Sequence, residues 1–297
     1  SCNLRMITAS VQDMGEYSWH EYIKSRECKD IKEVKEYYQR VGIILFIHYI
    51  LGTKDIHYEN FVACGKYPVV IDIEMMLAPE KKGGNVGEFS DSVLESGILP
   101  FGIWKSKDNG GTDFSAINGT GKQLLPFKKV VIENANRSDI KIGYVNAYSN
   151  SNMNLVRVNG KFLKPQDFVK DIMRGFESAY MVTLKEENAR KIVNLFTNKR
   201  ILCRYLLRDT QVYSMYLRSS FHPFILRDGG IREMLFARLM KQATYSDGIV
   251  PYEIKMLLNG AVPYFYFDSS ERNLRMLDGS KIENYFVTTA NENLEKK

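Results

Sequence analysis

A chain of 297 residues with 44% hydrophobic side chains has enough apolar material to bury a core, in one large or two smaller domains, which excludes general disorder. The formal charge of +6 is modest for this length and basic residues are interleaved with acidic ones, so no nucleic-acid-binding stripe is expected. No segment is long and apolar enough to span a membrane and no secretory signal opens the chain, so a cytoplasmic protein is expected.

The first residue is Ser, which suggests a fragment or a processed start. Residues 3–10 look extended, and a Gly-bearing turn leads to YSWHEYI, where Trp19 and Tyr22 have the character of packed core aromatics. From Asp30 to Leu51 the spacing predicts a helix capped by Asp30, with Val34, Tyr37, Tyr38, Val41, Ile44, Leu45 and His48 on its buried side and Gly52 beyond its end. A polar loop follows with Asp55, His57 and Asn60. FVAC and VVI then form a hairpin around Gly65, Lys66 and Tyr67 that delivers Asp72 and Glu74.

Residues 78 to 130 turn Gly-, Ser- and Lys-rich, as mobile connections do; GGNVG lacks the Lys and the flanking elements of a phosphate-binding loop. A helix is expected over Asp91 to Leu99 and an extended run at LPFGIW. Strands are expected at FKKVVIE, KIGYVNA and NLVRVNGKFL, the last turning at Asn159-Gly160. Pro165 opens a helix with Phe168, Ile172 and Phe176 on one face, and Glu186 to Phe196 forms another with Ala189, Ile192, Val193 and Phe196 inward. RILCRYLLRDT is expected to be extended through 208, with Arg204 and Arg208 on one side and Thr210 at a helix start. His222-Pro223 reads as a turn, Asp228-Gly229 as the start of a helix, Pro251 to Leu258 as a further helix, VPYFYF as an edge or extended segment, and NENLEKK as a solvated tail.

Two clusters carry chemistry. In kinase catalytic loops an Asp engages the acceptor hydroxyl, an Asn five residues on binds a metal, and a second Asp binds metal as well. Asp55 and Asn60 keep that interval, and the hairpin returns Asp72 beside Asn60. Magnesium needs only one or two carboxylates, so Asn60 and Asp72 suffice for Mg2+ on ATP, with Glu74 as a further cofactor contact. His57 is placed to bond either the phosphate or Asp55. In the second cluster, guanidinium groups recognise phosphate through paired donors, and a helix start adds backbone N–H groups. The four cysteines, Cys2, Cys28, Cys64 and Cys203, have no zinc-ligand spacing; reduced thiols and no zinc are expected, with Cys64 packed in the hairpin.

The run LGTKDIHYENFVACGKYPVVIDIE resembles the signature of the dehydratase domain of class II lanthipeptide synthetases, whose core is similar to lipid kinases. GFESAY at 175–180, the Asp113-Phe114-Ser115 motif and LLNGAVPYF also match that family. The resemblance implies an α+β fold with a lipid-kinase-like catalytic lobe, residues 1–27 ending the nucleotide lobe and its connection, 28–297 forming the helical catalytic lobe, and 78–130 resembling an activation segment. Trp19, Glu21 and Tyr22 would lie near the adenine-side connection. It implies ATP-dependent dehydration of Ser and Thr in a lantibiotic (bacteriocin) precursor peptide bearing a leader, by phosphorylation and then phosphate elimination in one pocket. Asp55, His57, Asn60, Arg204, Arg208 and Thr210 are the catalytic candidates; Arg204 and Thr210 reproduce the family's elimination interval. Neither the family's upstream nucleotide-contacting Lys nor its zinc-binding C-terminal cyclase matches any part of the chain. A lipid or small-molecule kinase and a catalytically incomplete peptide-binding module are the alternatives.

Overall fold

The computed structural model describes residues 4–73, 75–81, 92–103, 111–118, 123–149, 153–242 and 248–296. Among these the architecture is α+β, with eight α-helices and several small antiparallel sheets. The chain divides into two compact units, Ser1–Ile73 with Val86–Lys191, and Glu74–Asn85 with Ile192–Lys297.

The first unit opens with a hairpin, β1 (Val11–Asp13) paired to β2 (Ser18–His20). Trp19 is 66% and Tyr22 80% exposed, contrary to the core packing expected for them: three-residue strands on their own have no second layer to cover an aromatic ring. The long helix α1 (Ile31–Ile50) starts where its cap predicts. The Asp30 carboxylate accepts from the Glu33 N–H at 2.8 Å, and the Glu33 carboxylate accepts from the Lys29 N–H at 2.8 Å. All seven residues expected on its buried side are buried.

Helix α2 (Val169–Thr183), entered through a 3₁₀ turn at Pro165–Phe168, packs on α1. The two backbones approach so closely that only glycine fits at two positions. A Cβ on Gly42 would lie 2.0 Å from the Ile172 carbonyl oxygen, and one on Gly175 would lie 1.8 Å from that of Gln39. Tyr38 stacks on Phe168 at 4.9 Å in the core these helices share. Helix α3 (Glu186–Thr197) has the expected amphipathic pattern, yet Ala189, Ile192, Val193 and Phe196, expected inward, are only half-buried.

Strands β3 (Phe61–Cys64) and β4 (Tyr67–Val70) form the expected hairpin, closed by a tight turn at Gly65-Lys66. Pro68 faces Ala63, a position that the alternation of a two-residue hairpin leaves out of the hydrogen-bonded pairs, so its missing N–H costs nothing. Cys64 is half-buried at the turn. Arg40, almost fully buried, donates to the carbonyl oxygens of Arg5, Glu36 and Lys66 and so ties this turn to α1.

In place of the helix expected over Asp91 to Leu99 there is a single 3₁₀ turn, Val93–Ser96, stopped by Gly97 at φ 77°; Asp91 and the GGNVG run lie outside the described residues. Short strands β5 (Gly102–Ile103) and β6 (Thr112–Asp113) pair, as do the long β7 (Leu124–Glu133) and β8 (Lys141–Tyr148). Strands β9 (Arg157–Val158) and β10 (Lys161–Phe162) turn at Asn159 and Gly160, both at positive φ, as the dipeptide predicts.

The second unit holds a four-stranded antiparallel sheet of β11 (Leu202–Tyr205), β12 (Phe265–Asp268), β13 (Leu274–Met276) and β14 (Lys281–Ile282), in that order. The VPYFYF run therefore supplies an interior strand, not an edge, and its alternation puts Phe265 and Phe267 in the core. Helices α4 (Thr210–Ser220), α5 (Pro223–Leu226), α6 (Gly229–Ala237) and α7 (Ile249–Leu258) enclose Tyr213, Phe236, Leu239, Val250 and Leu257. His222 caps α5 rather than making a turn, its Nδ1 accepting from the Phe224 N–H at 3.2 Å. The expected solvated tail is helix α8 (Ala290–Lys296), which buries Ala290 and Leu294.

Candidate functional site

The polar loop leaves α1 through a left-handed cap. Gly52 sits at φ 55°, its N–H donates to the Tyr49 carbonyl at 3.2 Å, and the Thr53 N–H donates to the His48 carbonyl at 2.9 Å. His48 and Thr53 also join side chain to side chain, Nδ1 to Oγ1, at 3.0 Å in a buried position, and burial pushes the imidazole pKa down to about 4. A neutral His48 is thus part of the hinge that aims the loop.

Beyond it the main chain is pinned on both sides. The Ile56 N–H donates to the Ser96 carbonyl and the Tyr58 N–H to the Phe114 carbonyl, each at 3.0 Å, and His57 bridges Ser115. Lys54 pairs with Glu95 at 2.5 Å. Between these fixed points Asp55 is held at φ 64°, the left-handed region that a non-glycine residue adopts at a cost, and its side chain is exposed. The Asn60 amide donates to the Asp55 carbonyl at 3.4 Å, which leaves its oxygen end as an acceptor. His57 accepts the Glu59 N–H on Nδ1 at 3.2 Å, so the proton of the neutral ring is on Nε2, available to an external acceptor.

The hairpin carries the chain back. The Ile71 N–H donates to the Asn60 carbonyl at 3.0 Å, extending the β3–β4 ladder by one pair and setting Asp72, exposed, next past it. Asp55, His57, Asn60 and Asp72 are therefore brought together in the first unit. Glu74 lies outside the described residues. No group of three or more His, Cys, Asp or Glu that could hold a metal occurs among the described residues. An amide oxygen and one carboxylate match what magnesium takes from protein when water and phosphate fill the remaining positions.

The sequence did not disclose what supports the loop from behind. Asp113 accepts the Ser115 N–H at 2.9 Å, and its carbonyl accepts from Gln123 Nε2 at 2.6 Å and Asn118 Nδ2 at 3.1 Å. This network holds the strand that bonds Tyr58. Only the family motif at 113–115 hinted at it.

In the second unit the extended run expected through 208 stops at Tyr205. Arg204 is half-buried on β11 with its guanidinium 5.3 Å from the Tyr264 ring centroid. Arg208 is buried instead, its Nε and Nη2 on the two Glu253 oxygens at 2.7 and 3.1 Å, with Tyr213 donating to the same carboxylate at 2.5 Å. The chain bends after Tyr205 because that ion pair draws Arg208 between α4 and α7. Thr210 is the first residue of α4, whose cap is Asp209, accepting the Gln211 N–H at 2.8 Å. Burial pushes the Cys28 thiol up to about 12 and the Cys203 thiol up to about 11, so neither is a thiolate near neutral pH. The three described cysteines are free. No helix among the described residues is long and apolar enough to cross a membrane.

A family model described as a domain of unknown function (DUF4135) matches residues 1–268. Among curated proteins, the lacticin 481/lactococcin biosynthesis protein LcnDR2 of Lactococcus lactis subsp. lactis is 29% identical over 301 residues, covering 93% of this chain. The chain spans 31% of that relative's length. The likeness to class II lanthipeptide synthetases read from the loop and hairpin agrees with both matches.

Proposed function

The chain belongs to the DUF4135 family, and from that premise we propose that it dehydrates Ser and Thr residues of a lanthipeptide precursor, by phosphorylation and then elimination of phosphate. The observation that carries this reading is the loop itself: a strained Asp55, an Asn60 whose amide donates to the Asp55 carbonyl, and Asp72 returned beside it by one ladder hydrogen bond. The kinase-like lobe, with its division at residues 27 and 28 and the cytoplasmic site of action, belongs to the same reading.

In the first step the substrate hydroxyl oxygen attacks the γ-phosphorus of ATP, the bond to the ADP oxygen breaks, and the hydroxyl proton passes to Asp55. Asn60 and Asp72, with Glu74 as a further contact, would hold magnesium, which neutralises phosphate charge when bound. His57 donates from Nε2 to a phosphate oxygen. In the second step a base takes the Cα proton, the Cα–Cβ double bond forms, and the Cβ–O bond breaks, its electron pair leaving with phosphate. Arg204 and the start of α4 at Thr210 stabilise that leaving group. Arg208 acts at one remove, holding the turn between Arg204 and Thr210 through Glu253.

The precursor, with its leader, is the partner. The similarity to LcnDR2, a lacticin 481/lactococcin biosynthesis protein, supports a product of the lantibiotic class. The test is ATP binding followed by thermal shift with and without magnesium, for the wild type and Asp72→Ala. A magnesium-dependent shift that the variant loses is expected; an equal shift in both would remove Asp72 from the site.

A further inference from the structure

On the sheet of the second unit, register places Arg204 of β11 directly opposite Tyr266 of β12, and Tyr266 directly opposite Arg275 of β13. Directly opposed residues share a face and stand about 5 Å apart at Cβ. This face is the reverse of the one that buries Cys203, Phe265, Phe267, Leu274 and Met276. Two arginines thus flank one half-buried tyrosine.

The surroundings distinguish this row from an ordinary solvated strand face. Arg204 lies against the Tyr264 ring at 5.3 Å, and the Tyr264 and Tyr266 rings stand 6.4 Å apart. Arg275 gives Nη2 to both oxygens of Glu271, at 2.8 and 2.6 Å, while its Nε–H is buried with no hydrogen-bond partner among the described residues. A buried, unmet guanidinium N–H is costly unless a further acceptor arrives. An oxyanion with several acceptor oxygens would meet the Arg275 Nε–H together with the Tyr266 hydroxyl and Arg204.

We propose that Tyr266 and Arg275 form, with Arg204, the receptor for a phosphate monoester, and that Tyr264 is a positioning residue which holds the Arg204 guanidinium. This rests on the reading that Arg204 serves the elimination step, and it adds the groups that would receive the phosphate oxygens there. Tyr266 donates its O–H and Arg275 its Nε–H, while the aromatic flank of Arg204 limits that side chain to one orientation.

The test is a titration of the chain with inorganic phosphate by calorimetry, comparing the wild type with Tyr266→Phe and Arg275→Lys, and Lys129→Gln on β7 as a control outside the face. Circular dichroism and thermal melts show that each variant is folded, and Tyr266→Phe removes a single oxygen. The expected result is saturable phosphate binding that weakens about tenfold in Tyr266→Phe and in Arg275→Lys, and is unchanged in the control. Binding that is absent in the wild type, or as tight in both variants as in the wild type, overturns the proposal. The two levels separate in a parallel assay of a Ser- and Thr-rich precursor with ATP: phosphate binding that depends on Tyr266, with a precursor that never loses water, would support the anion receptor and sink the elimination reading.

Discussion

The loop between α1 and β3 and the junction between β11 and α4 both present charged side chains, and they hold them in opposite ways. At the loop the main chain does most of the holding: Ile56, Tyr58 and Ile71 are bonded backbone to backbone, and Asp55 and Asp72 are exposed. At the junction a side chain does it, since the buried Arg208–Glu253–Tyr213 cluster fixes the bend. The first arrangement separates chemistry from stability, because a loop side chain can be changed without touching what supports it. The second joins them, because one arginine of the pair is structural and its neighbour four residues earlier is a candidate for chemistry.

Substitutions sharpen that contrast, beginning with the largest effect. Asp55→Asn should lower the rate of phosphate transfer to precursor by roughly 10²–10⁴-fold, as loss of a catalytic base does, with little change in melting temperature. A fall in both together would show that the loop is not independently supported. Arg208→Met, which strands the Glu253 charge, should cost about 3–5 kcal/mol in urea unfolding. The double change with Glu253→Leu should recover much of it; a double variant no better than the single one would mean that the pair is not the main strut.

Acid offers a third contrast. His48 is depressed to about 4 in the fold, whereas the ordinary value is about 6.5. Between those values the unfolded chain binds the extra proton, so the contribution of neutral His48 is complete above about pH 6.5 and is lost as pH falls toward 4. That amounts to about 3 kcal/mol over the window. Urea midpoints measured across it should drop for the wild type and flatten for His48→Gln; parallel curves would assign the acid sensitivity elsewhere. Least of all, Gly175→Ala should destabilise by about 1–3 kcal/mol, because its methyl meets the Gln39 carbonyl and α1 and α2 must part. An unchanged melting temperature there would mean that the helices yield freely.

What could be read from the chain follows the same division. Periodicity and capping found α1 and its buried side, and turn chemistry found the β3–β4 and β9–β10 hairpins, because these depend on neighbours in sequence. The capping box that starts α8, Thr289 with Glu292, is equally local, although the charge at the chain end suggests solvent. The four-stranded sheet was hidden, since its short strands β11 and β12 lie some sixty residues apart and no local pattern announces that pairing. Arg208 illustrates the limit most clearly. Alternation placed it beside Arg204, and a carboxylate 45 positions away, Glu253, decided otherwise. Asp55, by contrast, was legible as a residue type at a spacing, although its left-handed backbone was not.

The most direct measurement is mass spectrometry of a Ser- and Thr-rich precursor peptide after incubation with the protein, ATP and magnesium, comparing the wild type with Arg204→Ala. The wild type should yield peptide that has lost water, and Arg204→Ala should yield peptide that carries phosphate and keeps its water. A variant that still dehydrates the peptide, or that leaves it wholly unmodified while remaining folded, would contradict the assignment of the two steps to the two regions.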